Sequence, residues 1–112
     1  MAVDIWVYRE TIAEVDLSDF HVEALDGEIG KVDPATFELG GDVIIVDTGP
    51  LIFGRKVVLP VGTIERVDTD AERIYLDRTK DEVKHAPEYD PSGYAEQEYR
   101  LRLGEYYGPF YE

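Results

Sequence analysis

Between Leu17 and Asp77, Gly, Pro and Asp interrupt the apolar residues about every eight to twelve positions, leaving only short apolar pieces. Pieces of that length suit strands and leave no room for the crossover helix that a parallel sheet ordinarily needs. Phe20, Val22 and Ala24 alternate with His21 and Glu23, the pattern of a half-buried strand. Asp26-Gly27 marks a tight hairpin, after which Ile29 and Val32 continue until Asp33-Pro34 breaks the run. Gly40-Gly41 turns the chain into Val43-Ile44-Ile45-Val46, four consecutive apolar residues that suit a strand covered on both faces. Thr48-Gly49-Pro50 turns it again, and Lys56–Pro60, Ile64–Val67 and Arg73–Asp77 complete about six strands. The pattern predicts an all-β domain over residues 17–78: a small antiparallel β-barrel, whose closure removes exposed strand edges.

Beyond Asp77 the period changes. Thr79-Lys80-Asp81-Glu82 reads as a capping box opening a short helix over 80–86, which Pro87 ends. After Glu88–Gly93, a hinge by composition, Tyr94–Leu103 is rich in helix formers and is expected to stop at Gly104. Four aromatics follow in Tyr106–Tyr111. The chain therefore divides into an N-terminal flank (1–16), a barrel domain (17–87) and a helical, Tyr-rich C-terminal tail (88–112).

Residues 20–87 resemble a PRC-barrel, the small β-barrel shared by the cytoplasmic domain of the photosynthetic reaction-centre H subunit and the C-terminal domain of a ribosome-maturation factor. The resemblance rests on Asp26-Gly27-Glu28-Ile29-Gly30-Lys31-Val32-Asp33, then on Val43-Ile44-Ile45-Val46-Asp47-Thr48-Gly49. It continues through Leu59-Pro60-Val61-Gly62-Thr63-Ile64 and Val67-Asp68, and closes on Val83-Lys84-His85-Ala86-Pro87. The flanks are similar to those of free-standing bacterial PRC-barrel proteins. The resemblance implies the barrel fold and the family's general habit of docking other proteins; it names no partner. Its motif residues Gly27, Gly30, Asp47, Gly49, Pro60, Asp68 and Pro87 also have structural uses of their own. Gly27 and Gly30 suit positive φ or close strand approach, Pro60 a strand end, and Asp47 a turn closed by side-chain bonds.

Composition narrows the function classes. Twenty-five acidic residues against eleven basic give a net charge of −14. Such a surface repels phosphate backbones and anionic membranes, so neither nucleic acid nor a membrane is the expected partner. The absence of cysteine removes disulfides, thiolate metal sites and a cysteine nucleophile. No apolar run approaches the ~20 residues of a membrane span, and MAVDIWVYRE lacks the order of a signal peptide. A cytoplasmic protein is the expectation. Asp68-Thr69-Asp70-Ala71-Glu72 has the alternation of a calcium loop, but Arg73 stands where that loop needs Gly. His21 and His85 accompany no nucleophile motif. The chain is read as a non-enzyme that uses no metal or cofactor.

What remains is a surplus of aromatics outside the strands. Trp6 and Tyr8 alternate with Ile5 and Val7 as in a strand, and Tyr89, Tyr94, Tyr99, Tyr106, Tyr107, Phe110 and Tyr111 follow the barrel. They can cover their own barrel or form an interface, since Tyr and Trp combine large contact area with a polar tip. Trp6, Tyr8, Tyr99, Tyr106, Tyr107, Phe110 and Tyr111 are the candidate interface. The expected function is a non-catalytic protein–protein interaction module that forms a homodimer. The alternative is a small-molecule or ion-binding accessory protein using the acidic surface.

Overall fold

The computed structural model describes residues 4–9, 16–34, 42–49, 54–87 and 96–111. The Gly40-Gly41 turn, Pro50, the 88–93 hinge, Tyr89 and Tyr94 lie outside these residues. Six strands form one curled sheet: β1 (His21–Ala24), β2 (Gly27–Val32), β3 (Val43–Asp47), β4 (Lys56–Pro60), β5 (Ile64–Asp68) and β6 (Arg73–Leu76). Their order is β4-β3-β2-β1-β6-β5, a half-barrel with β4 and β5 at its edges. The two edge strands are consecutive in the chain. A single 3-10 turn, Val61–Thr63, carries Pro60 into Ile64.

The sheet is mixed, which corrects the purely antiparallel expectation. β1 and β6 run parallel, with His21 opposite Arg73 and Val22 opposite Ile74. No crossover helix is required because β2 to β5 themselves form the connection between the two parallel strands. The remaining pairs are antiparallel.

Two local features set the curl. The β1–β2 hairpin turns on Leu25 and Asp26, and its register shifts between Val22 and Glu23. Gly30 then crosses the backbone of β3 at close range. It has φ +156°, and a Cβ there would stand 2.1 Å from the Asp47 carbonyl oxygen. Only glycine lets β2 and β3 meet in this way.

All of Val43–Val46 and Val57–Pro60 are buried. Successive strand residues point to opposite faces, so β3 and β4 are covered on both sides within one chain. The core joins these residues to Ile5, Leu17, Ile29, Ile74, Val83 and the tail residues Tyr99, Leu103 and Tyr107.

Helix α1 (Lys80–Lys84) opens on the expected capping box: Glu82 N–H donates to Thr79 Oγ1 at 3.2 Å, and Thr79 N–H to Glu82 Oε1 at 2.9 Å. The hairpin reaches the same end, where Asp26 Oδ1 accepts from Lys80 N–H at 2.8 Å. Helix α2 (Glu96–Tyr107) runs past Gly104, where it was expected to stop, and ends in a 3-10 turn, Gly108–Tyr111. An interior glycine costs about 1 kcal/mol relative to alanine. Burial of Tyr107, one turn further on, more than offsets it. No helix among the described residues is long and apolar enough to cross a membrane.

Candidate functional site

Residues 4–9 of the N-terminal flank form a turn and not the strand their alternation suggests. Asp4 Oδ1 accepts from Trp6 N–H at 3.0 Å, a short-range bond that competes with extended backbone. The turn buries Ile5, half-buries Trp6 and Tyr8, and leaves Val7 exposed. It is seated on the β4–β5 corner: Gly62 N–H donates to the Ile5 carbonyl at 2.7 Å. A Cβ on Gly62 would lie 2.4 Å from Ile5 Cα, so the corner admits no larger residue. Arg9 Nε donates to the Gly62 carbonyl at 2.9 Å, and its guanidinium pairs with Asp77.

The tail is fastened to the same side of the sheet by its phenols. Tyr99 Oη donates to the Pro87 carbonyl at 3.0 Å, Tyr106 Oη to the Glu82 carbonyl, and Tyr111 Oη to Asp77 Oδ1 at 2.5 Å. Arg78 lies 4.7 Å from the Phe110 ring centroid and 5.0 Å from that of Tyr111. Burial raises the phenol pKa of Tyr106, Tyr107 and Tyr111, and nearby negative charge adds to this at Tyr106 (Glu82) and Tyr111 (Asp77). Tyr107 is fully buried, and its hydroxyl has no hydrogen-bond partner among the described residues. Its ring packs edge-on against Tyr106 at 5.0 Å.

The candidate aromatics therefore divide. Tyr99 and Tyr107 are core residues of their own chain; Tyr8, Tyr106 and Tyr111 are half-buried against that core; Phe110 is partly exposed at the end of the tail. Trp6 borders an open groove. Its other walls come from α2: Arg100, Leu101, Gly104 and Glu105, around a volume of about 640 Å³. The Arg100 guanidinium lies 4.4 Å from the Trp6 ring centroid and pairs with Asp42 at the start of β3. That hydrogen bond holds the Asp42 carboxyl below its ordinary pKa. Leu101 is 66% exposed. It sits off the helix face that Tyr99, Leu103 and Tyr107 bury, an irregularity readable from spacing but absent from the expected interface residues.

The motif residues of the sheet serve turns and close approaches. Asp47 Oδ1 accepts from Gly49 N–H at 3.0 Å, and Asp68 Oδ1 from Ala71 N–H at 3.0 Å. Gly27 has φ +137° at the hairpin exit, Pro60 leads into the corner, and Pro87 follows α1. A second groove, about 480 Å³, runs beside β2 and is lined by Asp19, Glu28, Asp33 and Asp47 among others. Three of these carboxylates are engaged: Glu28 with His21 and Arg73, Asp33 with Lys56, and Asp47 with Gly49. Among the described residues, no group of three or more His, Asp or Glu is placed to hold a metal ion.

No family model matches the chain, and no curated protein matches it.

Proposed function

We propose that this chain is a non-catalytic, cytoplasmic protein-docking module of the PRC-barrel type, and that the Trp6–Leu101 groove is its recognition surface. The observation that carries this is Leu101, 66% exposed on a helix whose opposite face is core, beside the chain's single tryptophan and a guanidinium stacked on it. An exposed Leu alone is ordinary. A Trp–Arg–Leu groove is not, because Trp and Arg dominate binding energy where partners meet. The site is also held rigidly, through Asp42–Arg100, Gly62–Ile5 and Arg9–Asp77. Pre-ordered walls lower the entropy that binding must overcome. The half-barrel, with Gly30 against β3 and Pro60 at the corner, supports the PRC-barrel reading. The ion-binding alternative would use the groove beside β2, where Glu28, Asp33 and Asp47 already hold partners within the chain.

Site-specific photo-crosslinking in the native host tests the proposal. A photoreactive benzoylphenylalanine in place of Leu101 is expected to give discrete adducts, and the same residue in place of the exposed Thr69 of the β5–β6 turn none. Equal labelling from both positions, or none from position 101, contradicts a docking role for the groove.

A further inference from the structure

The Trp6–Leu101 groove is apolar along its floor and carries an unmatched negative charge at its rim. We infer that its occupant is an apolar segment of another protein, with lysine or arginine about one helical turn from the anchoring side chain. This rests on the docking reading above and names the chemistry of the partner for the same site.

The charges around the groove do not balance. Arg100 lines it, but its charge is met by Asp42. Glu105, on the other flank of Leu101, is exposed and makes no ion pair among the described residues. Asp4 accepts from the Trp6 N–H and likewise meets no cation among the described residues. Arg102 is exposed but is not one of the groove's walls, and α2 as a whole holds three Glu against two Arg. A carboxylate at an apolar rim is complementary to an ammonium or guanidinium. The field of a chain carrying −14 draws cationic segments toward it and repels acidic ones. Leu101 and Glu105 are four residues apart, about 6 Å of helix rise. That rise sets the spacing between the partner's apolar anchor and its base.

Gly104 supplies independent support. A glycine inside a helix weakens it. The fold does not ask for this one: its φ is not positive, unlike that of Gly27, Gly30, Gly49 and Gly54. An alanine Cβ there would meet only the Trp6 ring among the described residues, at 3.7 Å, an ordinary contact. What glycine does provide is bare backbone in the groove wall beside Trp6, against which a partner can close. A local rule broken with no gain to the fold is expected where a sequence serves binding.

Trp6 fluorescence of the full chain, titrated with synthetic peptides of equal length that lack Trp and Tyr, tests this. The peptides are an amphipathic leucine–lysine helix, the same helix with glutamate in place of lysine, and oligolysine. The leucine–lysine peptide should give a saturable blue shift, and the other two none. Leu101→Ser should raise its dissociation constant by about tenfold or more, the loss of a central apolar anchor. Glu105→Lys should raise it several-fold, and so should Gly104→Ala, although alanine favours the helix. Glu65→Lys makes the same charge change at an exposed position on β5 and should leave binding unchanged. Circular dichroism should be the same for all four variants. No response to the leucine–lysine peptide overturns the inference. So does an equal response to either of the other peptides, or a loss in Glu65→Lys equal to that in Glu105→Lys. If a discrete adduct still forms from position 101 after such a result, the docking reading stands and only the partner's basic chemistry is lost.

Discussion

The guanidinium of Arg100 lies 4.4 Å from the ring centroid of Trp6, clasping α2 to the N-terminal turn. Asp42 accepts from the same guanidinium, so three segments far apart in sequence meet at one side chain. Removing any of the three groups should loosen the groove without opening the core.

Asp42→Asn should cost up to about 1 kcal/mol at neutral pH, the ordinary scale of a partly exposed ion pair. The Asp42 carboxyl is held below its ordinary value by Arg100. Its contribution is therefore complete above the unfolded value of about 3.9, and is lost as pH falls through the lower folded value. Urea denaturation of both proteins should show a difference at pH 7 that disappears in strong acid.

Gly30→Ala should destabilise the fold by about 3 kcal/mol or more. Its Cβ would overlap the Asp47 carbonyl oxygen at 2.1 Å, and neither backbone can yield without breaking the β2–β3 pairing. Denaturant midpoints measure the loss. Gly104→Ala should do the opposite: its Cβ would meet only the Trp6 ring at 3.7 Å, an ordinary contact, and helix propensity adds up to about 1 kcal/mol.

Tyr107→Phe should leave stability unchanged or raise it by about 1 kcal/mol, since it deletes a buried hydroxyl that has no partner among the described residues. Tyr107→Ala should cost about 3–5 kcal/mol by emptying the core beneath α2. A loss in the Phe variant comparable to that in the Ala variant would mean the hydroxyl is satisfied.

Alkali should unfold the protein earlier than a chain without buried phenols. Burial raises the pKa of Tyr106, Tyr107 and Tyr111, so the folded state keeps protons that the unfolded state releases near pH 10. The stability these groups carry is complete below that pH and declines as pH rises beyond it. Tyrosinate absorbance should appear together with loss of the β-sheet signal, and Tyr107→Phe should soften the decline.

Turn chemistry and alternation made the six strands legible, because Gly, Pro and Asp act within a few residues of themselves. The capping box at Thr79 is equally local. What the sequence did not disclose depends on distant chain segments. The parallel pairing of β1 with β6 follows from how the sheet curls. Trp6 leaves its apparent strand because Asp4 and the Gly62 corner hold it in a turn. The aromatic surplus marked the flanks as important but could not sort core from surface: Tyr99 and Tyr107 went inward and joined the buried core. Leu101, an aliphatic residue among conspicuous tyrosines, stayed exposed on α2.

Trp6 is the chain's single tryptophan and borders the groove, so its fluorescence reports directly on whether a partner enters. Titration with the protein captured by crosslinking from position 101 should shift the emission to the blue as the partner excludes water from the ring. Leu101→Glu should leave the emission unchanged over the same titration. Emission that responds identically in the wild type and in Leu101→Glu, or in neither, would contradict docking through the groove.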